Sequence, residues 1–570
     1  MSVRILPISV PADVSVPEPE IVLELTSPPE TASAGSRVVL GGKFLWVGQK
    51  KLYVRGVTYG TFRPSMDGSA FPSPRVVEQD FSLMSANGVN AVRTYTTPPH
   101  WLLEIALRCN LRVLVGMQGE RHYAFLHEKK MVRQIRNQVR SGARACAGHR
   151  AVLGYLVANE IPASIVRWHG ARAVEKFVKQ LHDEVKEQDP EALVSYANYP
   201  STEYLDLSFL DLVCFNVFLE SQDKYEAYLA RLQNLAGNRP LLVTEIGLDS
   251  HRNGDKAQAA CLDWQIRKTF AAGCAGAFVY AWTDEWYRGG EDVNDWDFGL
   301  TSRTRQPKQA LSVVRKVFEE VPFSSEETWP KISVVVCTFN GRRTIRECLE
   351  GIGKLHYPNY ETIVVDDGST DGAGDIAAEY DVRLIRTENQ GLSAARNLGW
   401  QSATGEIVAY IDDDASPDPD WLTYLAAAFL KEEYAGVGGP NIPVQMTEIL
   451  RIASPTRREV RPTCCFPIAK RSTFPAVTWL SAGVGWRSSM DLIRNSGKPA
   501  TTWMFVGERG TGAGSSGSVP RPWSGITIAE RCGHIGNNRW ATAKPRPCSR
   551  ESGRKSTIPV ATQRGQDTYM

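Results

Sequence analysis

Eight short runs of β-branched and apolar residues recur between residues 52 and 282, and each is followed by a stretch with helical spacing. They are Leu52–Tyr59, Val89–Tyr95, Arg112–Met117, Leu153–Asn159, Ala192–Ala197, Asp211–Asn216, Pro240–Glu245 and Gly276–Trp282, with helical candidates such as Ala171–Glu187 and Lys224–Ala236 between them. Strict alternation of strand and helix requires parallel strands, because each helix returns the chain to the end where the previous strand began. Eight such units in roughly 280 residues fit a closed (β/α)8 TIM barrel, whose usual size is about 250 residues.

A second series follows the Ser/Glu/Pro connector at 323–330. Strand Ile332–Cys337, helix Thr344–Leu355, strand Glu361–Val365, helix Gly374–Glu379, strand Val382–Arg386, helix Ser393–Ala403 and strand Ile407–Ile411 read as an open, Rossmann-like α/β sheet. Ligands of such a sheet sit at the carboxyl ends of its strands. After Pro443 the periodicity stops, and Arg, Pro, Ser, Thr and Gly dominate to Met570. The expected α/β organisation is therefore a flexible leader (1–36), a barrel (37–322), a linker (323–330), a partial α/β domain (331–443) and a disordered tail (444–570).

At 570 residues the chain is too long for a single core. No apolar run approaches the roughly 18 residues of a membrane span, so no transmembrane segment is expected. The first residues lack the basic start and apolar core of a secretion signal, which makes the cytoplasm, or the periphery of its membrane, the expected location. The eleven cysteines include no CxxC and no cluster interleaved with histidine, which argues against a zinc site or a disulfide framework. Net charge of +2 conceals an asymmetry: residues 444–570 hold 19 Lys and Arg against 7 Asp and Glu, so the tail carries +12 and the remainder −10.

Barrel chemistry is built where strands end. Strand four closes Val157-Ala158-Asn159-Glu160 and strand seven closes Thr244-Glu245-Ile246-Gly247. Carboxylates on these strands face each other across the mouth, and a separation of about 5–5.5 Å suits a retaining double displacement with one acid and one nucleophile. From Gly41 to Leu311 the sequence resembles the retaining glycosidase clan, nearest to β-galactosidase and β-glucuronidase barrels and to fungal β-1,3-glucanosyltransferases. Tyr53-Val54-Arg55-Gly56-Val57, Val92-Arg93-Thr94-Tyr95 and Tyr280-Ala281-Trp282 share in the match. The resemblance makes Glu160 the acid/base and Glu245 the nucleophile, with no cofactor. Arg93 is expected beside Glu245, lowering its pKa, and Asn159 against the sugar 2-hydroxyl. Asn216 is a further substrate-binding candidate. Where the family then places a tyrosine that bonds the nucleophile, this chain has Phe218. Trp282 is a candidate platform under a sugar ring and Tyr280 a polar neighbour, with core packing an equal reading of both. The acidic, aromatic stretch 284–297 lines the cleft or forms a polar loop.

In the second domain three strands end in polar residues: Cys337-Thr338-Phe339-Asn340, Asp366-Asp367-Gly368-Ser369 and Asp412-Asp413-Asp414. Carboxylates gathered at one edge repel unless a cation joins them, and Mg²⁺ or Mn²⁺ bridging a diphosphate meets that need. With Gly391-Leu392-Ser393-Ala394-Ala395-Arg396-Asn397 and Pro417-Asp418-Pro419-Asp420-Trp421-Leu422, this half resembles glycosyltransferase family 2 and its GT-A fold. The resemblance implies an inverting transferase. Thr338, Asp366, Asp367, Arg396 and Asp413 would hold the nucleotide-sugar donor, Asp412 and Asp414 the metal, and a carbohydrate acceptor would bind a half that follows Pro443.

That half does not follow as written. Codons compatible with this sequence, read from the last base of each preceding codon, can encode a cysteine-containing acceptor loop over Arg471–Ala482, an acidic base motif over Lys498–Glu508 and a Trp-rich helix over Trp540–Ile558. A single missing base after the codon for Pro443 accounts for all three windows. It also accounts for the basic tail without a nucleic-acid partner. The sequence therefore predicts a carbohydrate-active fusion, a retaining glycosidase or transglycosylase barrel joined to a metal-dependent transferase defective as translated. The alternative is a barrel that holds glycan without cleaving it.

Overall fold

A computed structural model describes residues 36–66, 68–117, 126–324, 327–431 and 434–438, together with short strands within 468–509. The first elements are a three-stranded antiparallel sheet, β1 (Val38–Gly41), β2 (Phe44–Val47) and β3 (Lys50–Leu52). Eight parallel strands then close into a barrel: β4 (Val54–Tyr59), β5 (Ala91–Thr94), β6 (Arg112–Gly116), β7 (Val152–Asn159), β8 (Val194–Asn198), β9 (Val213–Asn216), β10 (Leu241–Ile246) and β11 (Gly276–Val279). The expected (β/α)8 barrel is thus present, with each strand placed within a few residues of its run. The sheet β1–β3 was not anticipated. It forms a floor: Leu45 and Val47 share a core cluster with Leu114, Leu156, Leu242 and Phe278 from the barrel strands.

Why these segments close is visible in their side chains. The strands are buried nearly end to end, as parallel strands covered on both faces must be. Closure between β11 and β4 needs a glycine, because a Cβ on Gly276, whose φ is +149°, would lie 2.1 Å from the Val54 carbonyl oxygen. The outer helices lay apolar stripes on the strands; helix Ala171–Gln188 buries Val174, Phe177, Val178, Leu181 and Val185.

After β12 (Tyr287–Arg288) and β13 (Glu291–Asp292), a hairpin at the mouth, the second domain begins. Its parallel strands are β14 (Ile332–Thr338), β15 (Tyr360–Asp367), β16 (Arg383–Thr387) and β17 (Ile407–Asp412). The sheet continues with β18 (Tyr434–Gly438), β19 (Ile468–Lys470) and β20 (Ala476–Leu480) in the order β16-β15-β14-β17-β20-β18-β19. β20 runs parallel to β17, and a separate pair, β21 (Trp486–Ser489) and β22 (Val506–Arg509), follows. The rest of 444–570, and with it the frame-change reading, lies outside the described residues, as does the leader 1–35. In-register pairing brings Thr338 beside Asp366 and Cys337 beside Asp412, so the three polar strand ends share one edge.

Candidate active sites

Arg93 organises the barrel mouth. It is 1% exposed, and its Nη1 donates to Asn216 Oδ1 at 3.0 Å and to the Thr244 carbonyl at 2.8 Å. The same nitrogen stands 2.8 Å from Glu245 Oε1, and Nη2 donates to Asn159 Oδ1 at 2.6 Å. Asn216 extends the network, its Nδ2 donating to Glu160 Oε1 at 2.8 Å and to Asn159 Oδ1 at 3.2 Å. A continuous polar path, one ion pair followed by two hydrogen bonds, therefore runs Glu245–Arg93–Asn216–Glu160. Glu160 follows the end of β7 with φ +41°, a left-handed conformation that costs a side-chain-bearing residue about 1–2 kcal/mol. Its backbone N–H is fixed on the Ala197 carbonyl at 2.9 Å.

Burial raises the Glu245 carboxyl to about 7. Arg93 and the Tyr95 hydroxyl pull it down and the Glu160 charge pushes it up, with burial the largest influence. Arg93 lowers the Glu245 pKa as expected, but desolvation of a 6% exposed carboxylate outweighs it, so the group stands above its ordinary value.

Tyr95 is a contact of Glu245 that the sequence reading missed. Its hydroxyl donates to Glu245 Oε1 at 2.8 Å, and Arg93 lies over its ring at 4.8 Å. The signal was available, since side chains alternate along a strand and Tyr95 therefore follows Arg93 onto the same face. Phe218 instead packs edge-on against Tyr280 and Phe298.

Trp282 takes the core-packing alternative. It is fully buried in the barrel core, so it presents no platform to a sugar. Tyr95, Tyr280 and Trp286 pack together in a separate small cluster, with Tyr280 5.0 Å and Tyr95 5.3 Å from the Trp286 ring centroid. Within 284–297, Asp284 is a structural residue, accepting from the Gly299 N–H at 2.7 Å and paired with Lys308 at 3.2 Å.

At the second sheet edge, Arg396 is 4% exposed and pairs with Asp412 Oδ1 at 3.0 Å. Thr338 donates to Asp413 Oδ2 at 2.5 Å, so these two expected nucleotide contacts also satisfy each other. Asp367 accepts from the backbone N–H groups of Gln390 and Gly391 at 2.9 and 2.8 Å, which assigns it to holding the loop before helix Leu392–Ser402. Asp366 accepts from Ser369 N–H at 2.9 Å. Asp414 is exposed. Burial raises the Asp413 carboxyl, and repulsion from Asp414 and Asp412 adds to it against the Thr338 bond. Three adjacent carboxylates against one guanidinium leave net negative charge, and their hard oxygen donors could hold a divalent cation at Asp412 and Asp414.

A further set with metal-ligand chemistry lies outside the barrel strands, on helix His100–Arg108 and the turn before β7: ligand atoms of His100, Glu104 and His149 fall within 4.8 Å of one another. His149 Nδ1 accepts the Ala151 N–H at 3.1 Å, so the neutral ring carries its proton on Nε2, 3.2 Å from Glu104 Oε1. That tautomer suits a hydrogen bond rather than coordination.

The family model for the glycosyl hydrolases family 2 TIM barrel domain matches residues 38–323, and that for glycosyl transferase family 2 matches residues 333–476. The second match runs beyond Pro443. Among curated relatives, glycosyltransferase AglE of Haloferax volcanii is 39% identical over 103 residues, covering 17% of this chain and 34% of its own. Glycosyltransferase GlyA of Streptococcus pneumoniae is 40% identical over 100 residues, 17% of this chain and 14% of its own. The chain thus spans about a third of one of these relatives' length and less of the other's. Among solved structures, a β-glucuronidase from Bifidobacterium dentium matches with TM-score 0.43 and 16% identity over 51% of this chain and 50% of its own. A family 2 β-galacturonidase from Eisenbergiella tayi matches with TM-score 0.44 and 18% identity, over 51% and 55% respectively. No helix among the described residues is long and apolar enough to cross a membrane. The chain belongs to the glycosyl hydrolases of family 2 through its TIM barrel domain, which is fused to a C-terminal glycosyl transferase family 2 domain.

Proposed function

We propose that the barrel, at 37–322, is a retaining glycoside hydrolase or transglycosylase, and that the second domain, from 331, binds a nucleotide-sugar donor for transfer to a carbohydrate acceptor. The observation that carries the barrel reading is the path Glu245–Arg93–Asn216–Glu160, which ties two strand-end carboxylates to one buried cation. In the first step ionised Glu245 attacks the anomeric carbon while Glu160 gives its proton to the departing oxygen. In the second, Glu160 takes a proton from water or an acceptor hydroxyl, whose oxygen displaces Glu245. Asn159, bonded to Arg93 and Asn216, is assigned to contact the sugar, as is Tyr280.

In the second domain Asp412 and Asp414 would hold Mg²⁺ or Mn²⁺, which would neutralise a departing diphosphate. Thr338, Asp366 and Arg396 share its edge and are assigned to the nucleotide. With a base and acceptor loop missing from the written sequence, the domain binds donor without completing transfer.

One observation favours a second reading, in which the barrel only holds glycan: a nucleophile with a pKa of about 7 is half protonated at neutral pH. Hydrolysis of aryl glycosides by the full chain decides between them. A rate that Glu245→Gln abolishes supports catalysis, and equal rates leave a binding module.

A further inference from the structure

We propose that the barrel floor is a docking surface that orders the donor turn of the transferase half, giving the barrel a second, non-catalytic role. Lys51, in β3, has a side chain only 6% exposed, and its ammonium lies 2.6 Å from Asp418 and 2.8 Å from Asp420. It projects through an aromatic cage, 4.2 Å from the Phe44 ring centroid and 5.6 Å from those of Trp46 and Tyr53.

Two hydroxyls and a stacked ring complete the contact. Tyr53 donates to Asp420 at 3.0 Å, Tyr424 donates to the Tyr53 oxygen at 3.2 Å, and the Tyr424 ring stacks on Phe44 at 6.1 Å. Burial pushes the Asp420 carboxyl up, but Lys51, Tyr53 and His356 together hold it below its ordinary range.

The position of these carboxylates gives the contact its consequence. β17 ends at Asp412, and helix Trp421–Lys431 begins directly after Asp420. The turn that carries Asp413 and Asp414 is thus held at one end by pairing of β17 with β14 and at the other by Lys51. Without that cation, two carboxylates face an aromatic surface with only Tyr53 and His356 left to meet the charge of Asp420, and the stranded charge works against seating the far end of the turn. An effect on donor binding rests on the assignment of the metal to Asp412 and Asp414; the ordering of the turn does not.

Hydrogen exchange on the full chain tests this without any transferase assay. In Lys51→Met, amides within 412–424 should exchange about tenfold faster or more, while those of β10 keep wild-type rates. Lys51→Arg should retain protection. Lys51→Met combined with Asp418→Asn and Asp420→Asn should restore it, because no stranded charge remains. Unchanged exchange at 412–424, equal acceleration in β10, or failure of the neutral triple variant to recover would overturn the proposal. Failure of nucleotide or Mn²⁺ binding would instead count against the donor-site reading alone.

Discussion

Tyr95 and Glu245, reaching across the barrel mouth from strands with two others between them, share a 2.8 Å hydrogen bond to Oε1, the oxygen that Arg93 also approaches at 2.8 Å. One oxygen of the proposed nucleophile is therefore held by one hydrogen bond and one ion pair. A hydrogen bond to a charged group is worth about 1.5–3 kcal/mol, so Tyr95→Phe should lower kcat/KM for an aryl glycoside by about ten- to a hundredfold. The lost donor also favours the protonated carboxyl, so the acidic limb of the pH–rate profile should move upward. A rate and limb identical to wild type would show that Tyr95 does not support Glu245.

Glu245 also links stability to pH. Its folded pKa of about 7 lies above the ordinary 4.5, so the folded state holds the proton more tightly than the unfolded chain. The stabilisation from a neutral carboxyl is fully present below about pH 4.5 and is lost as pH rises through about 7. Glu245→Gln carries no such loss. Relative to wild type, it should gain up to about 3 kcal/mol between those limits and hold that advantage in mild alkali. Denaturant unfolding of the barrel followed at several pH values reads the difference, and parallel curves for the two proteins would refute it.

The fold was legible because parallel strands buried on both faces must be written as β-branched runs, as in Ile332–Thr338, and because strand and helix alternate without interruption. The strand-end carboxylates were legible for the same reason, since a run that stops at Glu160 or Asp412 declares its edge. Other features depend on distances that local pattern does not encode. Whether Trp282 faces the mouth or the core follows from the path of the chain beyond β11, and the net pKa of Glu245 from the balance between burial and Arg93. The contact of Lys51 with Asp418 joins residues 367 positions apart, in segments that each matched a different family.

Asn216 links Glu160 to Arg93 and, through Arg93, to Glu245: its amide donates to Glu160 and its carbonyl accepts from Arg93 and from Thr244 Oγ1 at 2.8 Å. Such a positioning residue acts mainly on kcat, whereas a residue that only binds substrate acts on KM. Asn216→Ala should therefore lower kcat by about a hundredfold with KM within about threefold of wild type, in the range of removing one oriented polar group from an active site. A raised KM with unchanged kcat would return Asn216 to the role of a sugar contact.

At the second site Arg396 already provides positive charge, its guanidinium 3.0 Å from Asp412 Oδ1 and almost wholly buried. A dication at Asp412 and Asp414 must bind against that charge, because two cations approaching one carboxylate repel each other. Arg396→Met removes the repulsion and increases the negative field of the three adjacent aspartates. The variant should be less stable than wild type in the absence of metal, yet gain more from Mn²⁺, because ligand that binds only the folded state stabilises it in proportion to the logarithm of its affinity. Thermal unfolding with and without about tenfold excess Mn²⁺ over its dissociation constant should then show a larger upward shift for Arg396→Met than for wild type. Asp412→Asn combined with Asp414→Asn should show none. Equal shifts in all three proteins would mean that Mn²⁺ binds elsewhere, and an unaltered shift in Arg396→Met alone would mean that Arg396 and the cation do not compete for Asp412.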